Sequence, residues 1–258
     1  MTGNKPLILI TNDDGYSAPG MRALINAVKD LGQLVIVAPD KPQSGMGHAI
    51  TVSATLHINK IEVEGLPGYS CSGTPVDCVK IAVNKIMDRK PDLILSGINH
   101  GSNSSINVIY SGTMSAAVEG AIENIPAIGF SLCSHSIDAD FSAAADIAKE
   151  ISAKILAKGM PANSCLNVNI PAIDPKLLAG IKVCRQAHAV WEEEFDERQD
   201  PAGNTYYWLT GKFINHDMGE DTDEWALKNN YVSIVPVECD FTDYDSMEHF
   251  KDLENERF

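Results

Sequence analysis

Asp13 and Asp14 stand side by side at the end of the apolar run Leu7-Ile8-Leu9-Ile10, and Gly15 follows them. A run of that length reads as a buried strand, so both carboxylates reach one edge of a sheet together. Adjacent like charges repel and lose hydration on burial. Such a pair is stable when solvated, partly protonated or neutralised by a cation. A divalent metal ion is the strongest neutralising partner, and a plain polar Asp-Gly turn is the simplest alternative. The choice turns on whether other loops bring oxygen ligands to the same edge.

The elements around the pair supply those loops. Met21, Leu24, Ile25, Val28 and Leu31 recur at helical spacing and Gly32 closes the segment,. Leu34 to Ala38 is a second buried strand, making a right-handed parallel crossover,. Its outgoing loop, Pro39 to His48, carries Ser44. Residues 50–63 suggest one or two short strands of an excursion,. Gly73-Thr74-Pro75-Val76-Asp77 has the form of a helix start, with Thr74 as cap and Asp77 completing a capping box,. Leu93 to Ser96 is the next strand, and the Ser- and Asn-rich loop Gly97 to Asn107 leaves it. Ser111-Gly112-Thr113 opens a helix of small residues. Ala127 to Leu132, Phe141 to Lys158 and Cys165 to Ile170 read as strand, helix and strand. This alternation predicts an α/β fold, Rossmann-like, with a mostly parallel sheet and helices on both faces.

In such sheets ligands bind outside the carboxyl ends of the strands. Asp13 and Asp14, Ser44, and Asn99 in the loop Asn99 to Asn107 all leave strands at that edge. Two carboxylates, a hydroxyl and a side-chain amide are oxygen donors that suit Mg²⁺ or Mn²⁺ rather than zinc. The helix start at Ser111-Gly112-Thr113 offers free amides and a partial positive charge that suit a phosphate; plain capping by Ser111 or Thr113 is the alternative. No Gly-x-x-x-x-Gly-Lys-Ser/Thr loop, Gly-x-Gly-x-x-Gly after the first strand, or Gly-x-Ser-x-Gly elbow occurs,. Nucleoside triphosphatase, dinucleotide and serine-hydrolase readings therefore lose their main support.

A hydrophobic fraction of 44% and a charged fraction of 21% place the chain among ordinary globular proteins,. The formal net charge of −15 argues against duplex nucleic acid held by counterion release,. Cys71, Cys78, Cys133, Cys165, Cys184 and Cys239 lie far apart with no Cys-x-x-Cys, which suits reduced thiols,. No apolar run approaches membrane-spanning length, and four strongly apolar residues before Thr11 are too few for a signal-peptide core,. The expected compartment is the cytoplasm, with no membrane partner.

Beyond Pro171 the character changes. Val190 to Asn204 is acidic and turn-rich, flanked by Ile181 to Cys184 and by Tyr206-Tyr207-Trp208-Leu209. It reads as a long hairpin arm that meets another subunit or folds over its own domain. The expected division is a Rossmann-like core over residues 1–170 and a C-terminal region, 171–258, carrying the arm.

Thr11-Asn12-Asp13-Asp14-Gly15 with Ala18-Pro19-Gly20, Val37-Ala38-Pro39-Asp40, Ser44-Gly45 with Gly47-His48, Gly73-Thr74-Pro75 with Asp77-Cys78, Ser96-Gly97-Ile98-Asn99 and Ser111-Gly112-Thr113 together resemble the survival protein E (SurE) family. The resemblance implies a divalent-metal-dependent phosphatase that hydrolyses nucleoside 5′- and 3′-monophosphates, in a homodimer or homotetramer built through the arm. By the same resemblance Asp13, Asp14, Ser44 and Asn99 are metal ligands; Asp13 or Asp14 is also the expected catalytic acceptor of the attacking water's proton. Asn12, Asn103, Ser111, Gly112 and Thr113 fall at phosphate or substrate positions. Two other classes remain to be distinguished: a receiver-like phospho-signalling module and a non-catalytic nucleotide-binding protein.

Overall fold

The computed structural model describes residues 5–255. In chain order the elements are β1 (Leu7–Thr11), α1 (Pro19–Val28), β2 (Gln33–Pro39), β3 (Ile58–Val63), β4 (Leu66–Cys71), α2 (Pro75–Ile81), β5 (Leu93–His100), α3 (Asn107–Tyr110), α4 (Gly112–Ile122), β6 (Ala127–Cys133), α5 (Ser142–Lys158), β7 (Ser164–Pro171), β8 (Gly180–Val183), β9 (Ala189–Gln199), β10 (Thr205–Asn215), α6 (Asp223–Lys228) and β11 (Tyr231–Glu238). Among the described residues nine strands form one sheet in the order β3-β4-β2-β1-β5-β6-β7-β11-β8. The run β4-β2-β1-β5-β6-β7 is parallel throughout; β3 and β11 join antiparallel to β4 and β7.

Strand β1 is apolar along its whole length because both of its faces are covered. Ile8 and Ile10 pack with Met21, Leu24 and Ile25 of α1 and Ala144 and Ala148 of α5. Leu9 points the other way, to Cys78 and Val79 of α2 and Met114 and Ala117 of α4. Each such side chain, removed fully from water, contributes roughly 1.5–3 kcal/mol. Helices thus lie on both faces of a mostly parallel sheet, as the alternation predicts. Thr74 and Asp77 form the predicted capping box at the start of α2.

Two features differ from the sequence expectation. Ile181 to Cys184 does not flank the arm: β8 joins the main sheet beside β11. Strand β4 has no forecast from the apolar pattern because Pro67 and Gly68 interrupt it. Gly68 is needed there, since a Cβ would lie 2.9 Å from Ile36 Cβ. The arm itself is the two-stranded hairpin β9–β10, paired from Ala189–Asn215 to Gln199–Thr205.

The chain leaves β1 toward β2 on one side, and the later strands β5, β6 and β7 lie on the other. The order therefore reverses between β1 and β5, and a crevice opens beyond their carboxyl ends,.

Candidate metal and phosphate site

A cleft of about 600 Å³ occupies that crevice, and Asp13, Asp14, Ser44, Asn99, Asn103 and Ser111 all line it. Residues separated by up to about a hundred positions are thus brought to one rim. Asn12, Gly112 and Thr113 stand one layer back from that lining.

The donors are held from several parts of the chain. Asp13 is 5% exposed, and its Oδ1 accepts a 2.5 Å hydrogen bond from Thr113 Oγ1 at the start of α4. Burial pushes its carboxyl from the ordinary 3.8 up to about 6, opposed by Thr113 and reinforced by Asp14,. Burial also raises Asp14, against the pull of the His100 backbone N–H and ring. Asn12 shapes the turn beneath them, its Nδ2 donating to Gly15 O at 2.9 Å while its Oδ1 is buried without a partner. Asn99 Nδ2 donates to Gly101 O at 2.8 Å, leaving its oxygen for a ligand.

Ser44 rides on a segment without regular structure, tethered at several points. Gln43 N donates to Asp13 O at 2.8 Å. His48 Nε2 lies 3.0 Å from Glu119 Oε2, and Lys80 Nζ reaches Glu119 Oε1 at 2.5 Å. Thr51 donates through both N and Oγ1 to Asp77. Burial would lift the Glu119 carboxyl, but the hydrogen bonds from His48 and Lys80 prevail and hold it below the usual range.

Ser111 is a true cap: its side chain accepts from Met114 N. The cap closes the start of an eleven-residue helix beside the paired carboxylates.

The donors form the kind of set a hard divalent cation takes: two carboxylates, a hydroxyl and an amide oxygen, with one carboxylate buried at a cost that a cation would relieve.

With this geometry in hand, the likeness to known proteins is specific. A family model described as Survival protein SurE matches residues 8–193. The chain belongs to the survival protein SurE family. It is 62% identical over 241 residues to the 5′-nucleotidase SurE of Flavobacterium psychrophilum, covering 93% of this chain and 94% of the relative. It is 59% identical over 257 residues to the 5′-nucleotidase SurE of Christiangramia forsetii, covering 98% and 97%. The crystal structure of the SurE protein from Aquifex aeolicus superposes with a TM-score of 0.85 at 41% identity, covering 97% of this chain and all of that one.

Behind the cleft this SurE chain also holds supporting residues that its sequence alone does not reveal. Asn103 is clamped from β6 and β7: its N donates to Asn169 Oδ1 at 2.8 Å, its Nδ2 to Ser131 Oγ at 2.9 Å, and its carbonyl accepts from Asn167 Nδ2 at 2.8 Å. Asn169 Nδ2 in turn donates to Asn167 Oδ1. Ser104 donates to Glu224, and Ser105 N to Asp223, which fastens the β5 loop to α6. The only sequence signal for the clamp is the pair of amides at Asn167 and Asn169, two apart on an otherwise apolar strand.

Proposed function

We propose that this SurE chain is a divalent-metal-dependent phosphatase that hydrolyses nucleoside 5′- and 3′-monophosphates to nucleoside and phosphate. The observation that carries the reading is the convergence of Asp13, Asp14, Ser44 and Asn99 on one cleft beside a helix start. Relatives 62% and 59% identical to it bear the name 5′-nucleotidase SurE.

In this reading the four oxygen donors hold Mg²⁺ or Mn²⁺. An ion held there would supply Lewis acidity to offset charge on the phosphoryl group and to acidify a water. The protein does the positioning. Thr113 fixes the Asp13 carboxylate, and Asn103, held by its clamp, orients a phosphoryl oxygen. The first amides of α4, set by the Ser111 cap and Gly112, add partial positive charge. The carboxylate pair Asp13 and Asp14 accepts the proton of the attacking water.

A receiver module has a phospho-accepting Asp after a later strand, whereas Ser96 and Asn99 occupy that place here. We assign the protein to the cytoplasm, where its six free cysteines stay reduced,. Among the described residues no helix is long and apolar enough to cross a membrane. We also assign the hairpin of the C-terminal region 171–258 to assembly of a homodimer or homotetramer. It exposes Phe195, Tyr207, Trp208 and Leu209,.

A phosphate-release panel tests the reading. AMP and 3′-AMP should each release phosphate with Mg²⁺ or Mn²⁺ and not with chelator. Turnover that survives chelation rules out the metal mechanism, and stable phosphorylation of the protein by a small phosphodonor favours the receiver.

A further inference from the structure

The cleft extends well beyond the oxygen donors, and the character of its lining changes along it. Its aromatic side chains other than histidine are Tyr110, Trp191 and Phe213, and the contacts of Trp191 with Asn107 and Phe213 join α3 to the hairpin root. Tyr110 sits on α3, and Trp191 and Phe213 face each other at the root of the hairpin. Trp191 keeps 45% of its surface exposed, yet its ring is not free to turn. Its Nε1 donates to Asn107 Oδ1 at 2.8 Å, and the Phe213 ring meets it edge-on at 5.5 Å and 60°.

An exposed indole locked at both its polar and apolar edges is a preformed flat surface, and such rings bind by stacking with little loss of side-chain freedom. Asn107 and Tyr110 lie one turn apart on α3 and so share a side of it,. Because Asn107 uses its oxygen on Trp191, its amide N–H groups are left for another acceptor,.

We propose that Trp191, backed by Phe213 and flanked by Tyr110, is the platform on which the base of the nucleotide stacks, with the Asn107 amide donating to its edge. The inference rests on the nucleotidase reading for the position of the phosphate, and it adds the residues that recognise the nucleoside. Stacking uses the π-face that every base has, so the site takes purines and pyrimidines alike, purines more tightly for their larger area. The arm then serves substrate selection through its root, whatever its far end meets.

Two measurements on the full chain with Mg²⁺ test this. In steady-state kinetics Trp191→Ala should raise KM for AMP about tenfold and change KM for ribose 5-phosphate by less than about twofold. Trp191→Phe, which keeps a ring but loses the bond to Asn107, should fall between. An equal loss on both substrates would mean that Trp191 only shapes the cleft, and would overturn the proposal. In the second measurement a phosphonate analogue of AMP, which cannot be hydrolysed, should quench tryptophan emission in the wild type and not in Trp191→Phe. Methylphosphonate should quench neither. Quenching without phosphate release from AMP would sink the phosphatase reading and leave the platform standing; absence of quenching sinks the platform itself.

Discussion

Gly112 lies directly against Asp13: a Cβ added at Gly112 would sit 2.6 Å from Asp13 Cβ and 2.9 Å from its Oδ2. The start of α4 and the buried carboxylate are therefore packed as one unit, with Thr113 bonding the same side chain from the next position.

Gly112→Ala should push the Asp13 carboxylate out of place while leaving the core intact. Overpacking of this kind costs about 1–3 kcal/mol. The expected outcome is a native circular dichroism spectrum, a modest fall in Tm, and phosphate release reduced at least tenfold, with more Mg²⁺ needed for half-maximal rate.

Asp13→Asn should abolish turnover yet stabilise the metal-free protein. The Asp13 carboxyl rises from 3.8 to about 6 on folding because burial penalises its charge. An acid raised in this way favours the fold fully below the unfolded value, and that benefit is lost as pH climbs through about 6. Above that pH the penalty amounts to about 3 kcal/mol, which the amide removes. Denaturant titrations with chelator should show the variant more stable than wild type at pH 8 and equal to it near pH 4. Added Mg²⁺ should raise the stability of the wild type alone.

Glu119→Ala removes the acceptor that holds His48 and Lys80, and with it one tether of the segment carrying Ser44. A loss of about 1–3 kcal/mol is expected, together with a raised metal requirement and little change in KM at saturating metal. The wild-type tether itself should weaken on acidification, since the folded Glu119 pKa lies below its ordinary 4.5. Its contribution is complete above that value and falls away as pH drops toward the lowered one.

Asn169→Ala takes away the oxygen that accepts from Asn103 N, and orphans the amide of Asn103 in a buried site. kcat/KM for AMP should fall about tenfold while the metal concentration for half-maximal rate stays unchanged, because Asn169 touches none of the four proposed ligands. A matching change in metal requirement would remove Asn169 from the phosphate side.

The convergence of Asp13, Asp14, Ser44 and Asn99 on one rim was legible because these residues break the local pattern. Asp13 and Asp14 end an apolar run, Ser44 sits in a turn-rich loop after β2, Asn99 falls at the carboxyl end of β5, which runs on to His100, and topology does the rest. Family motifs then narrowed the same four positions. The second layer was not legible, for physical reasons. Asn167 and Asn169 lie inside a strand, where a polar residue reads as the solvent face, yet here they point at the β5 loop. Asp223 and Glu224 meet Ser105 and Ser104 across more than a hundred residues, a pairing that no local periodicity encodes. Strand β8 was misplaced for the same reason: its partner β11 is about fifty residues downstream.

The hairpin enters the cleft wall only near its base, through Trp191 and Phe213, while Asp200 to Asn204 close its distant tip. Length and recognition are thus separable along one element. Shortening the ribbon at the tip leaves the mouth of the cleft furnished, whereas excising it whole strips two of three rings from that mouth. Variation in how far the ribbon reaches is therefore neutral toward substrate, and variation in how it takes root is not.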